Sequence, residues 1–116
     1  MVVEDELLIS MDLEMQVEAA GHHVVATATR ADEAVKKAES ACPDVVLMDL
    51  RLANGSSGAD AARQLFEGWG IRCVFLSGNL DPETRERLAA FEPYAMLSKP
   101  ILESQLLDAL RQAQIA

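Results

Sequence analysis

Hydrophobic and polar positions along the chain alternate between short apolar runs and longer segments with a helical period. Five short runs predict strands: Met1–Val3, Val24–Ala28, Asp44–Asp49, Cys73–Leu76 and Tyr94–Leu97. The run from Asp44 to Asp49 is apolar throughout its interior. A continuous apolar run is typical of a strand that is buried on both faces of a parallel sheet.

Helical periodicity follows each of these runs. The predicted helices are Asp5–Ala20, a segment capped by Thr29 and ending near Pro43, Ala59–Glu67, Pro82–Phe91 and Ile101–Ala113. Apolar side chains three and four residues apart predict the helix faces that pack on the core. In the first helix they are Leu8, Met11 and Met15, and in the last Leu102, Leu106, Leu107 and Leu110.

Strict alternation of strands and helices predicts the fold. Strands linked by helical crossovers form a parallel sheet covered on both faces, which is a doubly wound α/β architecture. The length of 116 residues predicts one domain over residues 1–116.

Composition excludes several classes of function. The formal net charge of −9 makes non-specific binding of nucleic acid by the bulk surface unfavourable. No apolar run is long enough to span a membrane, and no signal-peptide pattern begins the chain. Cys42 and Cys73 do not form a disulfide framework and have no metal-ligand spacing. Together these features predict a cytoplasmic protein with two free thiols.

Polar residues follow four of the five predicted strands. Glu4 and Asp5 come after the first, Asp49 ends the third, Ser77 follows the fourth and Lys99 follows the fifth. Sites in such folds form at the carboxyl ends of the strands, so these side chains are expected to converge. Two carboxylates about 4 Å apart repel by roughly 4 kcal/mol at an effective dielectric of 20. A Mg²⁺ ion, which prefers oxygen ligands, would relieve that repulsion.

This set of side chains suits phosphoryl transfer, which depends mainly on positioning and charge neutralisation. Asp49 is the candidate nucleophile, because a carboxylate at the end of a buried central strand can form an aspartyl phosphate. Lys99 supplies a positive charge, and Ser77 can donate a hydrogen bond to a phosphoryl oxygen. Each residue alone could be a helix cap, a turn residue or a solvated surface charge. Their joint position at one edge of the sheet favours a shared site over these separate interpretations.

The four segments that carry these residues resemble the receiver domain of bacterial two-component response regulators. Val2–Glu6 resembles that family's acidic motif, Val45–Leu50 its phosphoacceptor strand, Phe75–Gly78 its switch-hydroxyl strand and Leu97–Pro100 its lysine motif. The resemblance covers essentially the whole chain. It implies a flavodoxin-like sheet of strand order 2-1-3-4-5 and a cis peptide bond between Lys99 and Pro100.

The resemblance also implies a role for each site residue. Asp5 and Asp49 would hold Mg²⁺ directly, with Glu4 acting partly through water and the backbone carbonyl of Arg51 as a further ligand. A histidine kinase or histidine phosphotransfer protein would phosphorylate Asp49. Ser77 would then move toward the phosphoryl group and change the face formed by helix four, strand five and helix five. A downstream effector protein would bind that face. The same face could form a homodimer. The chain would be a signalling switch rather than an enzyme.

Three departures from the family pattern keep alternatives open. Ala53 stands where most receivers have proline, in a loop that is one residue longer, as in receivers attached to sigma-factor-like domains. Met96 occupies the position at which many receivers have an aromatic residue that partners the switch hydroxyl. These changes motivate a phosphate-independent docking module as the alternative function. A phosphatase of the haloacid-dehalogenase type is disfavoured because Arg51 occupies the position of its acid/base aspartate.

Overall fold

The computed structural model describes residues 1–115, which form one parallel sheet flanked by helices. In chain order the elements are β1 (Val2–Val3), α1 (Leu7–Ala19), β2 (Thr27–Ala28), α2 (Ala31–Ala41), β3 (Val46–Asp49), α3 (Gly58–Trp69), β4 (Cys73–Ser77), α4 (Pro82–Ala89), β5 (Ala95–Ser98) and α5 (Glu103–Ile115). A short 3₁₀ turn (Ala53–Gly55) lies between β3 and α3.

The five strands lie in the order β2-β1-β3-β4-β5, and every pairing is parallel. The predicted doubly wound α/β fold and its strand order are confirmed. Although β1 has two residues, Val2 pairs with both Thr27 and Leu47. The carboxyl ends of β1 and β3 are therefore neighbours, with β4 and β5 following on one side.

Successive side chains of the central strands pack alternately into two hydrophobic cores, one on each face of the sheet. Val3, Met48 and Phe75 point toward α2, α3 and α4, and neighbours such as Leu47 and Val74 point toward α1 and α5. All five side chains are almost fully buried. A strand buried on both faces needs apolar residues at consecutive positions, which explains the unbroken run in β3.

The first helix presents a different face to the core from the predicted one. Leu13 and Val17 are buried, whereas Leu8, Met11 and Met15 are 81%, 49% and 69% exposed. The prediction was wrong because α1 carries two apolar stripes, and the periodic pattern alone does not select the one that meets the sheet. A row of large apolar side chains consequently faces outward.

Smaller differences occur at element ends. Strand β2 is shorter than predicted, and Leu102 precedes α5 and is 61% exposed instead of joining its buried stripe. Thr29 does not cap α2. The N-cap is Arg30, whose side chain makes no capping bond, and the Thr29 N–H donates to Oε1 of Glu33 at 2.7 Å.

The two cysteines are free thiols, as predicted, with Cys73 buried and Cys42 exposed. Burial raises the pKa of the Cys73 thiol to about 12. Within residues 1–115 no helix combines the length and the apolar character that a membrane crossing requires.

Candidate functional site

The carboxyl ends of the strands gather the predicted polar side chains at one edge of the sheet. Glu4 follows β1, Asp49 ends β3, Ser77 ends β4 and Lys99 follows β5. They surround a cleft of about 310 Å³ lined by Asp5, Glu6, Asp49, Arg51, Ser77, Gly78, Asn79 and Lys99. The sequence-predicted residues therefore lie in a single site, with Glu4 buried beneath the cleft.

Lys99 lies between two of the carboxylates. Its Nζ is 3.0 Å from Oδ2 of Asp49 and 3.3 Å from Oε2 of Glu4. The Glu4 side chain is fully buried, and that of Asp49 is 6% exposed. Although burial opposes it, these two partners raise the pKa of Lys99 above its ordinary value. Lys99 is accordingly held as an ammonium facing the end of β3.

Glu4 occupies the least favourable position for a charged carboxylate. Burial, followed by the hydrogen bond and the negative charge of Asp49, raises its pKa to about 7, against the opposing effect of Lys99. Oε1 of Glu4 also accepts the Glu6 N–H at 3.3 Å. One ammonium does not fully compensate two buried carboxylates, so a further cation or a proton is favoured here.

The acidic residues have the geometry of a cation site. One carboxylate oxygen each from Glu4, Asp5 and Asp49 lies within 4.8 Å of the other two. Glu4 and Asp49 are buried, while Asp5 is exposed at the mouth of the cleft. Hard oxygen donors with an open side toward solvent fit Mg²⁺, which keeps several of its waters.

The segment after β3 fixes the orientation of Asp49. The Arg51 N–H donates to Oδ1 of Asp49 at 3.2 Å, so both carboxylate oxygens have a donor. Behind it, α3 begins at Gly58, whose N–H donates to the Leu50 carbonyl at 3.0 Å. A Cβ at Gly58 would lie 1.9 Å from the Asp49 carbonyl oxygen, so only glycine permits this approach.

Ser77 lies at the end of β4 and is engaged locally. Its Oγ accepts the Asn79 N–H at 3.0 Å and donates to the Asn79 carbonyl at 3.3 Å. The Lys99 N–H donates to the Ser77 carbonyl at 2.8 Å, which couples the ends of β4 and β5. The Lys99–Pro100 peptide bond is cis, as the resemblance implied.

Some residues of the site were not predicted as such from the sequence. Glu6 was assigned no role beyond its place in the acidic motif, and Gly58, just before the predicted helix Ala59–Glu67, was assigned none. A signal for Gly58 was its position immediately before the predicted helix Ala59–Glu67, shortly after the strand that ends in Asp49. The sequence alone offers no signal for the contact of Glu6 with Glu4, because it runs through the backbone N–H.

Known proteins with similar sequences and structures share this arrangement of strands and helices. The chain is 39% identical over 117 residues to the phyllosphere-induced regulator PhyR of Methylorubrum extorquens, covering 97% of this chain and 42% of that protein. It is similar to the solution structure of the PhyR receiver domain of Erythrobacter litoralis (TM-score 0.82, 33% identity, 98% and 88% covered). It is also similar to the anti-anti-sigma factor PhyR of Bartonella quintana (TM-score 0.79, 33% identity, 98% and 46% covered).

The chain thus spans less than half the length of the Methylorubrum extorquens PhyR protein and of the Bartonella quintana PhyR chain that it resembles. The family model described as the response regulator receiver domain matches residues 1–111, which include every residue of the site above. The match covers nearly the whole chain, and the chain belongs to the response regulator receiver domain family.

Proposed function

We propose that residues 1–116 act as one receiver domain that accepts a phosphoryl group on Asp49 in a Mg²⁺-dependent reaction. The observation that carries this proposal is the position of Asp49. Its carboxylate ends a buried central strand, lies 3.0 Å from the Lys99 ammonium and shares an acidic cluster with Glu4 and Asp5. The donor is a histidine kinase or a histidine phosphotransfer protein, and the product is an aspartyl phosphate.

The chain's own residues prepare Asp49 as a nucleophile. A carboxylate oxygen of Asp49 forms a bond to phosphorus while the bond from phosphorus to the donor's histidine nitrogen breaks. The Arg51 N–H and the Lys99 ammonium hold the two oxygens of Asp49 in defined directions before the transfer. The Lys99 charge is positioned to stabilise the phosphoryl oxygens as well, which is the main requirement of this chemistry.

The acidic cluster is the proposed Mg²⁺ site. Asp5 and Asp49 serve as direct ligands, together with the backbone carbonyl of Arg51, and Glu4 acts partly through water. A Mg²⁺ ion held by these residues would supply positive charge that neutralises the oxygens of the transferred group. The buried carboxylate of Glu4, with its raised pKa, supports the proposal because it lacks a full complement of positive charge.

Ser77 and the face formed by α4, β5 and α5 form the proposed switch. To donate to a phosphoryl oxygen, the Ser77 hydroxyl must give up the hydrogen bond that it donates to the Asn79 carbonyl. Met96 pairs with Phe75 across β4 and β5 and packs against the core where many receivers have an aromatic ring. A flexible methionine can fill space that an aromatic ring would otherwise occupy. The changed face would bind an effector or a second copy of the chain.

A groove along α1, which is lined by the outward side chain of Leu8 together with residues nearer the core, supports docking of a donor protein beside Asp49. Leu8, Ile9 and Leu13 line a groove of about 560 Å³ that continues to Lys99 and Pro100. Lys99 also lines the cleft at Asp49, so a protein seated on α1 would reach the phosphoacceptor. Since one similar protein is described as an anti-anti-sigma factor, the proposed effector is a regulator of sigma-factor activity.

A phosphate-independent docking module is the second candidate function. The observation that favours it is Met96, because it replaces the aromatic ring in the usual hydroxyl–aromatic switch. The docking module predicts that Asp49 takes up no phosphoryl group and that the exposed α1 row binds its partner constitutively.

Intact-protein mass after incubation with acetyl phosphate decides between the two functions. The proposal predicts a Mg²⁺-dependent phosphoryl adduct in the parent and none in Asp49→Asn. A folded parent that shows no adduct in the presence of Mg²⁺ would favour the docking module.

A further inference from the structure

We propose that the loop between β3 and α3 couples the state of Asp49 to the N-terminal end of α2, so that the start of α2 changes with phosphorylation. This inference rests on the proposed phosphorylation of Asp49. The proposed function leaves unexplained why Ala53 stands where most receivers have proline.

Two hydrogen bonds join this loop to the start of α2. The Ala53 N–H donates to the Thr29 carbonyl at 2.9 Å, and the Ala31 N–H donates to Oγ of Ser56 at 3.1 Å. Oγ of Ser56 in turn donates to the Ala53 carbonyl at 2.8 Å. The Arg30 side chain makes no capping bond, so Ser56 supplies from another segment the cap that α2 lacks.

The hydrogen bond from Ala53 to Thr29 gives a structural reason for alanine at a position where most receivers have proline. Proline has no backbone N–H, so a proline at this position could not donate to Thr29. Leu52 reinforces the junction because its side chain is 5% exposed and belongs to the same core cluster as Ala34 and Ala38 of α2. The loop is therefore bound to α2 by hydrogen bonds and by packing.

The same loop begins at the phosphoacceptor. Oδ1 of Asp49 accepts the Arg51 N–H, and Arg51 forms an antiparallel bridge with Ser57, the neighbour of Ser56. Phosphorylation converts the Asp49 carboxylate into an acyl phosphate, whose negative charge lies on the phosphoryl oxygens, and so weakens the carboxylate oxygen that accepts the Arg51 N–H. Arg51 is also a proposed cation ligand. A change at Arg51 thus reaches Ser56 through this short hairpin and reaches Ala31 through the Ser56 hydroxyl.

Amide hydrogen exchange measured by NMR tests the coupling, with Mg²⁺ and beryllofluoride as a phosphoryl mimic. In the parent we expect the mimic to alter the Arg51 amide and to speed exchange of the Ala31 amide by about threefold or more, because a weaker acceptor for the Arg51 N–H lets the loop open more often. In Ser56→Ala, basal exchange of Ala31 should be about fivefold faster, from the loss of one hydrogen bond. Its response to the mimic should disappear while that of Arg51 remains.

Ser57→Ala is the matched control. The Ser57 hydroxyl accepts the Asp60 N–H and caps α3, not α2, so this variant should keep the Ala31 response. Ala53→Pro removes the other bond without altering Ser56, and it should also reduce the response at Ala31. This second variant keeps the test decisive if Ser56→Ala folds poorly.

The outcomes separate this inference from the proposed function. An Asp49 phosphoryl adduct and a mimic-dependent change at Arg51, with Ala31 unchanged, would overturn the coupling and leave phosphorylation standing. Equal Ala31 responses in Ser56→Ala and Ser57→Ala would overturn it as well. Absence of both the adduct and mimic binding would overturn the proposed function, and the coupling with it.

Discussion

The Lys99 Nζ lies 3.0 Å from Oδ2 of Asp49, and the same ammonium is 3.3 Å from Oε2 of Glu4. One cation from the end of β5 therefore bridges two buried carboxylates from the ends of β1 and β3. Its removal leaves two negative groups in a region with little water, where unpaired charges are costly. The stability of this edge of the sheet and its affinity for a phosphoryl group thus depend on the same contact.

Replacement of Lys99 by methionine should destabilise the protein at pH 8 in the absence of divalent cations. We expect the free energy of unfolding to fall by about 1–3 kcal/mol, because the lysine is mostly buried and both partners lose their counter-charge. The pKa of Glu4 should rise further. Urea unfolding in a chelating buffer measures the effect. Lys36→Met, which removes an exposed lysine, should change stability by less than about 0.5 kcal/mol. Equal effects from the two variants would refute the bridging role of Lys99.

The raised pKa of Glu4 predicts a specific dependence of stability on pH. Its carboxyl has a pKa of about 7 in the folded protein and an ordinary value of 4.5. Between these values the folded state holds a proton that the unfolded state lacks. The stabilisation is therefore fully present below pH 4.5 and is lost as the pH rises through about 7. Its upper bound is about 3 kcal/mol.

Unfolding of the parent and of Glu4→Gln at pH 5 and pH 8, without divalent cations, isolates this contribution. The glutamine variant should lose less stability than the parent between the two pH values. An identical change in both proteins would contradict the buried, protonatable Glu4. Protons also compete with cations for this site, so Mg²⁺ affinity measured by calorimetry should weaken as the pH falls below about 7.

Gly58 should be intolerant of even the smallest side chain. A Cβ there would lie 1.9 Å from the Asp49 carbonyl oxygen, so Gly58→Ala must displace either α3 or the end of β3. We expect a loss of about 1–3 kcal/mol in stability and a large loss of phosphoryl uptake. Gly68→Ala, also in α3, meets no atom within 4 Å and should leave stability unchanged or improve it. Equal tolerance at both positions would show that the close approach at Gly58 is absent.

The orientation of α1 gives a further prediction. Leu13 is 3% exposed and packs in the core shared with α5, whereas Met15 is 69% exposed. Leu13→Ala should therefore cost about 2–5 kcal/mol, and Met15→Ala less than about 0.5 kcal/mol. Chemical denaturation of both variants measures this difference. A larger loss from Met15→Ala would indicate that the face predicted from the sequence is the buried one.

The order of strands and helices along the chain was enough to predict the sheet and the position of the site. Alternation of elements predicted the parallel sheet, and the position of Asp49 and Lys99 after consecutive apolar runs predicted that they would meet. These inferences succeed because parallel strands all end at one edge, so strand ends converge whatever the details of packing. The cis peptide after Lys99 followed from the family resemblance.

Features decided by tertiary contacts could not be predicted in this way. Helix α1 has two apolar stripes, and only docking on β1 distinguishes Leu13 from Met15. The cap of α2 comes from Ser56, 25 residues farther along the chain than Ala31, whereas the local sequence pattern predicts Thr29 as the cap. The raised pKa of Glu4 likewise depends on burial beneath Asp49, which no local sequence pattern encodes.

The identity of the carboxylate that takes the phosphoryl group is the most direct test of the account, because Glu4, Asp5 and Asp49 lie together. The protein would be phosphorylated with acetyl phosphate and Mg²⁺ and then treated with borohydride, which reduces an acyl phosphate to an alcohol. Peptide mass mapping locates the reduced residue. We predict reduction at Asp49 alone, lost when Mg²⁺ is omitted. Reduction at Glu4 or Asp5, or at no residue of a folded sample, would contradict the account.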